Sequence, residues 1–330
     1  MSNILYYIIC AVLVIGVLLG IYFMSKVKTA MLGNMTSCIS VACAIILTLY
    51  YNRIISDKLI WICMAVGAVI GILWILRVKM IQMPQLVAIY NGFGGAASAI
   101  IGIMMLMNPV SLSVFSNATS QLALVTGATT FFGSLVAAFK LSNIISQKPI
   151  TLKNHQFFTI LSLVLSFLTI ILSFIFNIPY IALIIILLAL STFFGIIFSI
   201  RIGGADMPIT ISLLNSLSGV AGSIAGMAVG DVLLVSIGGI IGASGLFLTQ
   251  IMCRAMNRSL ASILLGRTSA AAATPIGHKK ADEAQLQKKD PMDLLKEAKK
   301  VVIIPGYGMA LSQAQFEVKK LVDFLESKKV

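Results

Sequence analysis

Residues 208–229 read PITISLLNSLSGVAGSIAGMAV, and residues 232–252 read VLLVSIGGIIGASGLFLTQIM. Each run has about the 20 residues that a membrane-spanning helix needs, and neither contains a charged residue. Glycines recur four residues apart, which places them on one helix face: Gly222, Gly226, Gly230, Gly238 and Gly242. Small residues at this spacing let two helices approach closely. We therefore predict two spanning helices that pack closely against their neighbours and place them at the centre of a compact bundle.

The rest of the chain extends this pattern. Hydrophobic residues make up 59% of the 330 positions and charged residues 11%, with a mean hydropathy of +1.02, whereas a soluble domain is about 25% charged. The fold class is therefore an all-α polytopic membrane protein. Nine transmembrane helices are predicted, at about 4–24, 30–51, 59–76, 85–107, 119–139, 157–176, 178–199, 208–229 and 232–252. The first run is longer than a signal-peptide core of about 7–15 residues and lacks a basic start, so we interpret it as a span.

Charge separates an apolar body, residues 1–253, from a charged tail. Of the 24 Lys and Arg residues, 14 lie from Arg254 onward. The loops after the first, third, fifth and seventh spans hold the basic residues Lys26, Lys28, Arg77, Lys79, Lys140, Lys148, Lys153 and Arg201. The opposite loops hold only Arg53 and Lys58, so we expect the N-terminus outside and the tail in the cytoplasm. The placement of basic residues in the cytoplasmic loops and tail accounts for the net charge of +13. We therefore expect the protein to contact the lipid bilayer and not to bind nucleic acid.

Cysteine and histidine suggest no metal site. No Cys-x-x-Cys spacing occurs among the five cysteines, which we interpret as small buried hydrophobic side chains: Cys10, Cys38, Cys43, Cys63 and Cys253. His155, in a predicted loop, and His278, in the tail, are expected to be solvated.

Polar residues within the predicted spans are candidates for a functional role, because polar side chains are costly in a membrane. Asn91 lies in the predicted fourth span, and Asn215, Ser216 and Ser218 lie in the eighth. Asp206 lies at the expected cytoplasmic end of the eighth span. These side chains fit either hydrogen bonds between helices or a hydrated path, and no Glu, His or Lys lies deep in any predicted span.

A second motif lies near the C-terminus, where VVIIPGYGMA at 301–310 precedes LSQAQFEVKKLV at 311–322. A strand at about 301–304, a glycine turn and a helix at about 311–328 are predicted, which is the opening of a Rossmann-like βαβ unit. Gly306 permits a tight turn, and Gly308 lets the backbone approach a pyrophosphate at the helix N-terminus. The third position of the fingerprint holds Leu311 in place of a small residue.

Four strings resemble segments of one family, the β subunit of proton-translocating NAD(P) transhydrogenase. They are MPQLVAI at 83–89, RIGGADMPITISLLNSLSG at 201–219, IMCRAMNRS at 251–259 and PGYGMALSQAQ at 305–315. Their order and the nine predicted spans are also similar to the family, and the resemblance covers essentially the whole chain.

This resemblance implies an oxidoreductase and translocase of the bacterial plasma (inner) membrane. Hydride would pass between NAD(H), on an α-type partner subunit, and NADP(H), on the soluble domain of the β subunit, coupled to proton translocation. An assembly of protomers with two-fold symmetry is expected. Because hydride passes directly between nicotinamides, no catalytic residue is expected. The implied site residues are the NADP(H) pyrophosphate turn, Gly306, Tyr307, Gly308, Met309 and Ala310, and the proton-pathway positions Asn91, Asp206, Asn215 and Ser216.

Two departures from the family modify these expectations. Many members carry His where this chain has Asn91, so we predict that the α-type partner contributes a His facing Asn91. The chain also stops at Val330, after one βα unit, so residues 300–330 are interpreted as an incomplete NADP(H)-binding domain.

Residues 254–299 are interpreted as a cytoplasmic linker. Asp290 and Pro291 favour a short helix through Lys300, either in a solvated spacer or in a hinge that conveys the state of the bundle. Two other functions stay open: an ion or proton transporter without enzymatic activity, and a membrane anchor for a soluble NADP-binding partner.

Overall fold

A computed structural model of the chain describes residues 2–108, 113–176, 178–264, 300–306, 309 and 314–327. Within these ranges, nine helices are long and apolar enough to cross a membrane, which confirms the predicted number. The helices are α1 (Asn3–Met24), α2 (Ala30–Tyr51), α3 (Lys58–Arg77), α4 (Met83–Met107), α5 (Val114–Leu141), α6 (His155–Ile175), α7 (Tyr180–Ile200), α8 (Met207–Val229), α9 (Val232–Ala255), α10 (Leu260–Leu264) and α11 (Gln315–Ser327).

Polar residues immediately before several helices define their starts. Asp57 Oδ1 accepts a hydrogen bond from the backbone N–H of Leu59, and Ser113 Oγ accepts one from Ser116. These bonds satisfy N–H groups that have no partner within the helix. The cap at Ser113 also starts α5 five residues before the predicted position 119.

The connection between α8 and α9 is a two-residue turn. Gly230 has φ +82°, a left-handed conformation that costs glycine little and other residues more. Asp231 then caps α9, with Oδ1 accepting from the Leu234 N–H at 2.9 Å. The turn makes α8 and α9 antiparallel neighbours.

The centre of the bundle consists of α5 and α8. In the most apolar 18 residues of each span, 67% are buried in α5 and in α8, but only 28% in α9. The prediction that the last two spans lie at the centre is therefore confirmed for α8 and wrong for α9 within the described chain. The reason is that α9 packs mainly against α8, whereas α5 lies between α4, α7 and α8.

Two helix crossings require glycine because the backbones touch. A Cβ atom at Gly95 of α4 would lie 2.7 Å from the Gly127 carbonyl oxygen of α5. A Cβ atom at Gly238 of α9 would lie 2.5 Å from the Ser223 backbone nitrogen of α8. Both distances are too short for a side chain, so these glycines set the spacing of the two pairs.

The glycine pair of α3 makes no such crossing. A Cβ atom at Gly67 would meet nothing within 4 Å, and one at Gly71 would meet only the Tyr90 hydroxyl, at 3.9 Å. No residue of α3 is buried within the described chain. The small face of α3 therefore lies open on the surface of the bundle.

The cysteine interpretation is correct for two residues and wrong for three. Cys10 and Cys253 are buried, but Cys38, Cys43 and Cys63 are exposed on the bundle surface. These three side chains point outward from α2 and α3, where an apolar thiol faces hydrocarbon at little cost.

The C-terminal motif is described in part. Residues 301–306 have no regular secondary structure, so the predicted strand and the Rossmann-like unit are not shown. Helix α11 lies within the predicted helix 311–328. The predicted short helix before Lys300 and most of the linker, residues 265–299, lie outside the described residues, as does His278.

Candidate functional site

A cleft of about 370 Å³ lies between α4, α8 and α9. Its polar residues are Ser98 on α4 and Asn215 and Ser218 on α8. Gly94 makes room for one of them, since a Cβ atom there would lie 2.5 Å from Ser218 Oγ. Glycine thus leaves room for a few polar groups in a cleft whose other lining residues are apolar.

Asn215 is the largest polar side chain in the cleft. It is half-buried, and its amide has no hydrogen-bond partner among the described residues. A primary amide offers two donors and a carbonyl acceptor. The Asn215 amide is therefore able to bind water or a polar group from another chain.

Asn91 lies against α8 one helical turn away from Asn215. It is buried, and its Nδ2 atom donates a hydrogen bond of 3.3 Å to the Ile211 carbonyl oxygen. Ile211 precedes Asn215 by four residues, which is one turn. The structure therefore brings Asn91 and Asn215 to successive turns of α8, with Asn91 beside the cleft rather than in its lining.

Ser216 points away from the cleft. It is 1% exposed, and its Oγ atom donates a hydrogen bond of 2.6 Å to the Gly242 carbonyl oxygen of α9. The hydroxyl therefore holds α8 against α9. Ser218, two residues further on, takes the position in the cleft.

Asp206 forms an ion pair at the N-terminus of α8. The turn Gly204–Asp206 leads into the helix, whose partial positive charge favours a carboxylate at this position. The Asp206 Oδ1 atom lies 3.3 Å from the Arg258 Nε atom, just after α9. We refer to this side of the bundle as the Asp206 end.

A family model described as NAD(P) transhydrogenase beta subunit matches residues 4–330 of the chain. The chain belongs to this family. Two curated proteins named NAD(P) transhydrogenase subunit beta, both from Rhodospirillum rubrum and one from a designated strain, are each 34% identical to it over 339 aligned residues. Each match covers 98% of this chain and 71% of the relative.

In this transhydrogenase-family chain, a buried lysine joins three segments at the Asp206 end. Lys140, in the last turn of α5, has no exposed surface. Its Nζ atom donates hydrogen bonds to the carbonyl oxygens of Ile200, of Ile202 at 2.8 Å and of Lys148 at 3.2 Å. Lys140 thereby ties the loop after α5 to the end of α7 and to the turn before Asp206.

The backbone strengthens this connection. The Gly204 N–H donates to the Gln147 carbonyl oxygen at 2.9 Å, and the Ile150 N–H donates to the Ile200 carbonyl oxygen at 3.2 Å. A Cβ atom at Gly204 would lie 2.9 Å from Gln147 Oε1. The turn that carries Asp206 is therefore held directly by the loop between α5 and α6.

The expectation that His155 is solvated was wrong. It is 7% exposed and begins α6. Its Nδ1 atom accepts from the Leu152 N–H at 3.2 Å, so Nε2 carries the proton and donates to the Ile197 carbonyl oxygen at 2.9 Å. Both ring nitrogens are thus satisfied in the neutral imidazole.

Arg201 is also buried, at 2% exposed, with its guanidinium 5.7 Å from the centre of the Phe198 ring. Burial lowers the pKa of the Arg201 guanidinium, but arginine stays protonated at neutral pH. From the sequence, both Lys140 and Arg201 were expected to be charged residues in loops. Their burial could not be read from the sequence because the contacting groups lie far along the chain.

Only part of the predicted pyrophosphate turn is described. The Met309 N–H donates to the Gly306 carbonyl oxygen at 3.0 Å, which closes a turn. A Cβ atom at Gly306 would meet no atom of the described residues within 4 Å. Tyr307, Gly308 and Ala310 lie outside the described residues.

Among the described residues, no group of three or more His, Cys, Asp and Glu side chains has a geometry that could hold a metal ion.

Proposed function

We propose that this chain is a membrane subunit of a proton-translocating NAD(P) transhydrogenase, in which hydride transfer between NAD(H) and NADP(H) is coupled to proton movement. The observation that carries the proposal is the cleft containing Asn215 and Ser218. It is a polar opening in the membrane bundle of a chain that belongs to this family.

Water in the cleft would carry the proton. The Asn215 amide and the Ser218 hydroxyl would orient that water, since both groups donate and accept hydrogen bonds. Asn91 would fix the neighbouring turn of α8 through the Ile211 carbonyl. Ser216 would contribute by holding α8 on α9 through Gly242, which keeps the far wall of the cleft in place.

The titratable group would come from a partner. Among the residues that the structure describes, none that lines the cleft has a titratable side chain. An imidazole changes charge between about pH 5 and 8, which suits reversible proton binding. A His from the transmembrane part of an α-type subunit, facing Asn91, would supply this group.

The bundle has an open face that suits such a partner. Gly222 lines the cleft, and a Cβ atom there would meet nothing within 4 Å. Helix α3 likewise exposes Gly67. Small residues on an open helix face favour close packing of another helix. These surfaces would receive the α-type subunit and a second protomer of an assembly with two-fold symmetry.

Asp206 and Arg258 would connect the cleft to nucleotide binding. Arg258 follows α9 and precedes the segment that leads to the glycine turn. Protonation in the cleft and NADP(H) binding at Gly306–Ala310 would affect each other equally, because coupling between two sites is reciprocal. The bound nicotinamide supplies the hydride chemistry.

Orientation and location follow the basic residues. Lys148 and Lys153 are exposed at the Asp206 end. This end would face the cytoplasm, with the protein embedded in the inner membrane of a bacterium. The N-terminus would then be outside, and the tail would meet cytoplasmic nucleotides.

The test is reconstitution of the chain with a candidate α-type subunit in liposomes that contain a pH-sensitive dye. NADPH and an NAD analogue are added, and reduction of the analogue is followed together with the internal pH. We expect both signals, and an uncoupler should abolish the pH change while accelerating hydride transfer. Hydride transfer that never moves protons, or proton movement that needs no nucleotide, would contradict the proposal.

A further inference from the structure

A second cavity, of about 380 Å³, lies behind α8. Helices α5 to α9 contribute to its walls, with Leu213 and Leu217 from α8. Asn215 and Ser218 of the same helix line the polar cleft. Helix α8 therefore separates two cavities of similar volume, and only the first contains an amide without a hydrogen-bond partner among the described residues.

Each polar side chain that lines the second cavity in the described part of the protein already donates a hydrogen bond. Thr126 Oγ1 donates to the Leu122 carbonyl oxygen at 2.7 Å, and Ser166 Oγ donates to the Ser162 carbonyl oxygen at 2.8 Å. The Thr129 hydroxyl is bonded to the Ser191 carbonyl oxygen. Buried water needs about two to four polar partners, so this space favours hydrocarbon over water.

The cavity opens between α6 and α9. At its mouth, Phe167 of α6 is 52% exposed and Leu246 of α9 is 39% exposed. At its floor, Ser166 and Leu213 are 2% and 5% exposed. Both helices at the mouth are long and apolar enough to span a membrane. The material outside the mouth is then bilayer hydrocarbon.

The two helices at the mouth each carry positive charge near their Asp206 end. Lys153 lies two residues before α6, and Arg254 lies in the last turn of α9. Both side chains are exposed. A phosphate group at the membrane surface is complementary to these cations.

We propose that the cavity is a binding site for one acyl chain of a bilayer phospholipid, whose phosphate faces Lys153 and Arg254. A cavity of about 150 Å³ already holds a benzene molecule, so this larger space has room for a substantial part of one chain. The chain would fill the space behind α8 and keep water on the Asn215 side of that helix.

The test uses phosphatidylglycerol that carries a photoreactive diazirine on its acyl chain. The full-length protein is placed in vesicles of this lipid with its partner subunit, irradiated and digested, and the modified residues are mapped by mass spectrometry. We expect lipid adducts on floor positions such as Leu213. This measurement requires no nucleotide, so its outcome is independent of the proposed transhydrogenase function.

Two variants fill the cavity from different helices: Thr126→Phe on α5 and Ser166→Phe on α6. Each should lower floor adducts by at least about tenfold, since excluding two buried CH₂ groups alone weakens binding that much. The matched control is Ile171→Phe, on the outward face of α6 at 57% exposed, which should leave them unchanged. Thermal unfolding checks that a variant is folded.

Three results would overturn the proposal. The first is adducts on outward positions alone, with none on the floor. The second is floor adducts that persist in both filled variants or fall equally in Ile171→Phe. The third is crosslinking of the floor to polypeptide, which would assign the cavity to a protein segment.

Discussion

The carboxylate of Asp206 and the guanidinium of Arg258 join the start of α8 to the segment after α9. Their Oδ1 and Nε atoms are 3.3 Å apart, and the side chains are only 12% and 14% exposed. Because water is largely excluded, the pair is screened less than a surface ion pair. It therefore links the wall of the cleft to the part of the chain that leads toward the glycine turn.

We expect Asp206→Asn and Arg258→Gln each to destabilise the protein by about 1–3 kcal/mol, because each leaves a partly buried charge without its partner. Hydride transfer coupled to protons should fall in both. A double-mutant cycle on thermal unfolding should give a coupling energy of about 1–2 kcal/mol. Additive effects of the two substitutions would mean that the pair contributes nothing. The exposed pair Glu317–Lys320 provides a control cycle, with an expected coupling energy of about 0.5 kcal/mol or less.

Lys140 should be important for the geometry at the Asp206 end. We expect Lys140→Met to destabilise the protein by at least about 2 kcal/mol, because it leaves buried carbonyl oxygens unsatisfied. Hydrogen exchange at the Gly204 N–H should also become faster, since the loop that binds it is released. The matched control is Lys148→Met, whose side chain is exposed. Equal exchange rates in the two variants would contradict the role of Lys140.

The number and approximate positions of the spans were predictable because a membrane-spanning helix needs a long, continuous run of apolar residues. The ends of the helices were harder to predict. Ser116 and Asn117 are polar, so the first turn of α5 was assigned to a loop, although Ser113 caps the helix there. Glycine spacing correctly indicated that α8 and α9 pack closely, because Gly238 and Gly242 of α9 meet backbone atoms of α8. It did not indicate which helix has the most neighbours. Helix α5 is the most buried together with α8 because it contacts other helices on several sides.

The sequence indicated which polar residues lie near the cleft, but not the direction in which each side chain points. Asn215 and Ser216 are adjacent in sequence, yet one lines the cleft and the other binds Gly242 on α9. Adjacent helical residues point about 100° apart, so only the position of α9 decides between these roles. Lys140 and His155 were missed because their partners, Ile200 and Ile197, lie on a different helix.

The different directions of Asn215 and Ser216 give a test. Asn215→Leu should reduce proton-coupled hydride transfer by about tenfold or more, as loss of a polar group from a water path removes at least about 1.4 kcal/mol of stabilisation. Its stability should change little, because the amide has no partner among the described residues.

Ser216→Ala should behave in the opposite way. It should cost about 1 kcal/mol of stability through the lost hydrogen bond to Gly242 and leave proton movement close to that of the unmodified protein. Thermal unfolding and the liposome assay measure both quantities. If Ser216→Ala abolished proton movement without affecting stability, the serine would belong to the path itself.

Asn91 allows a test of where the proton is held. An imidazole at this position could still donate to the Ile211 carbonyl and would add a titratable group that the asparagine lacks. We expect Asn91→His to introduce a pH dependence that the unmodified protein lacks, because the proton-coupled rate should change as the new imidazole gains or loses its charge. Asn91→Gln keeps a neutral amide and should leave the pH profile unchanged. If Asn91→His also left the profile unchanged, Asn91 would lie too far from the protons to influence them, and its bond to Ile211 would serve only to hold α4 against α8.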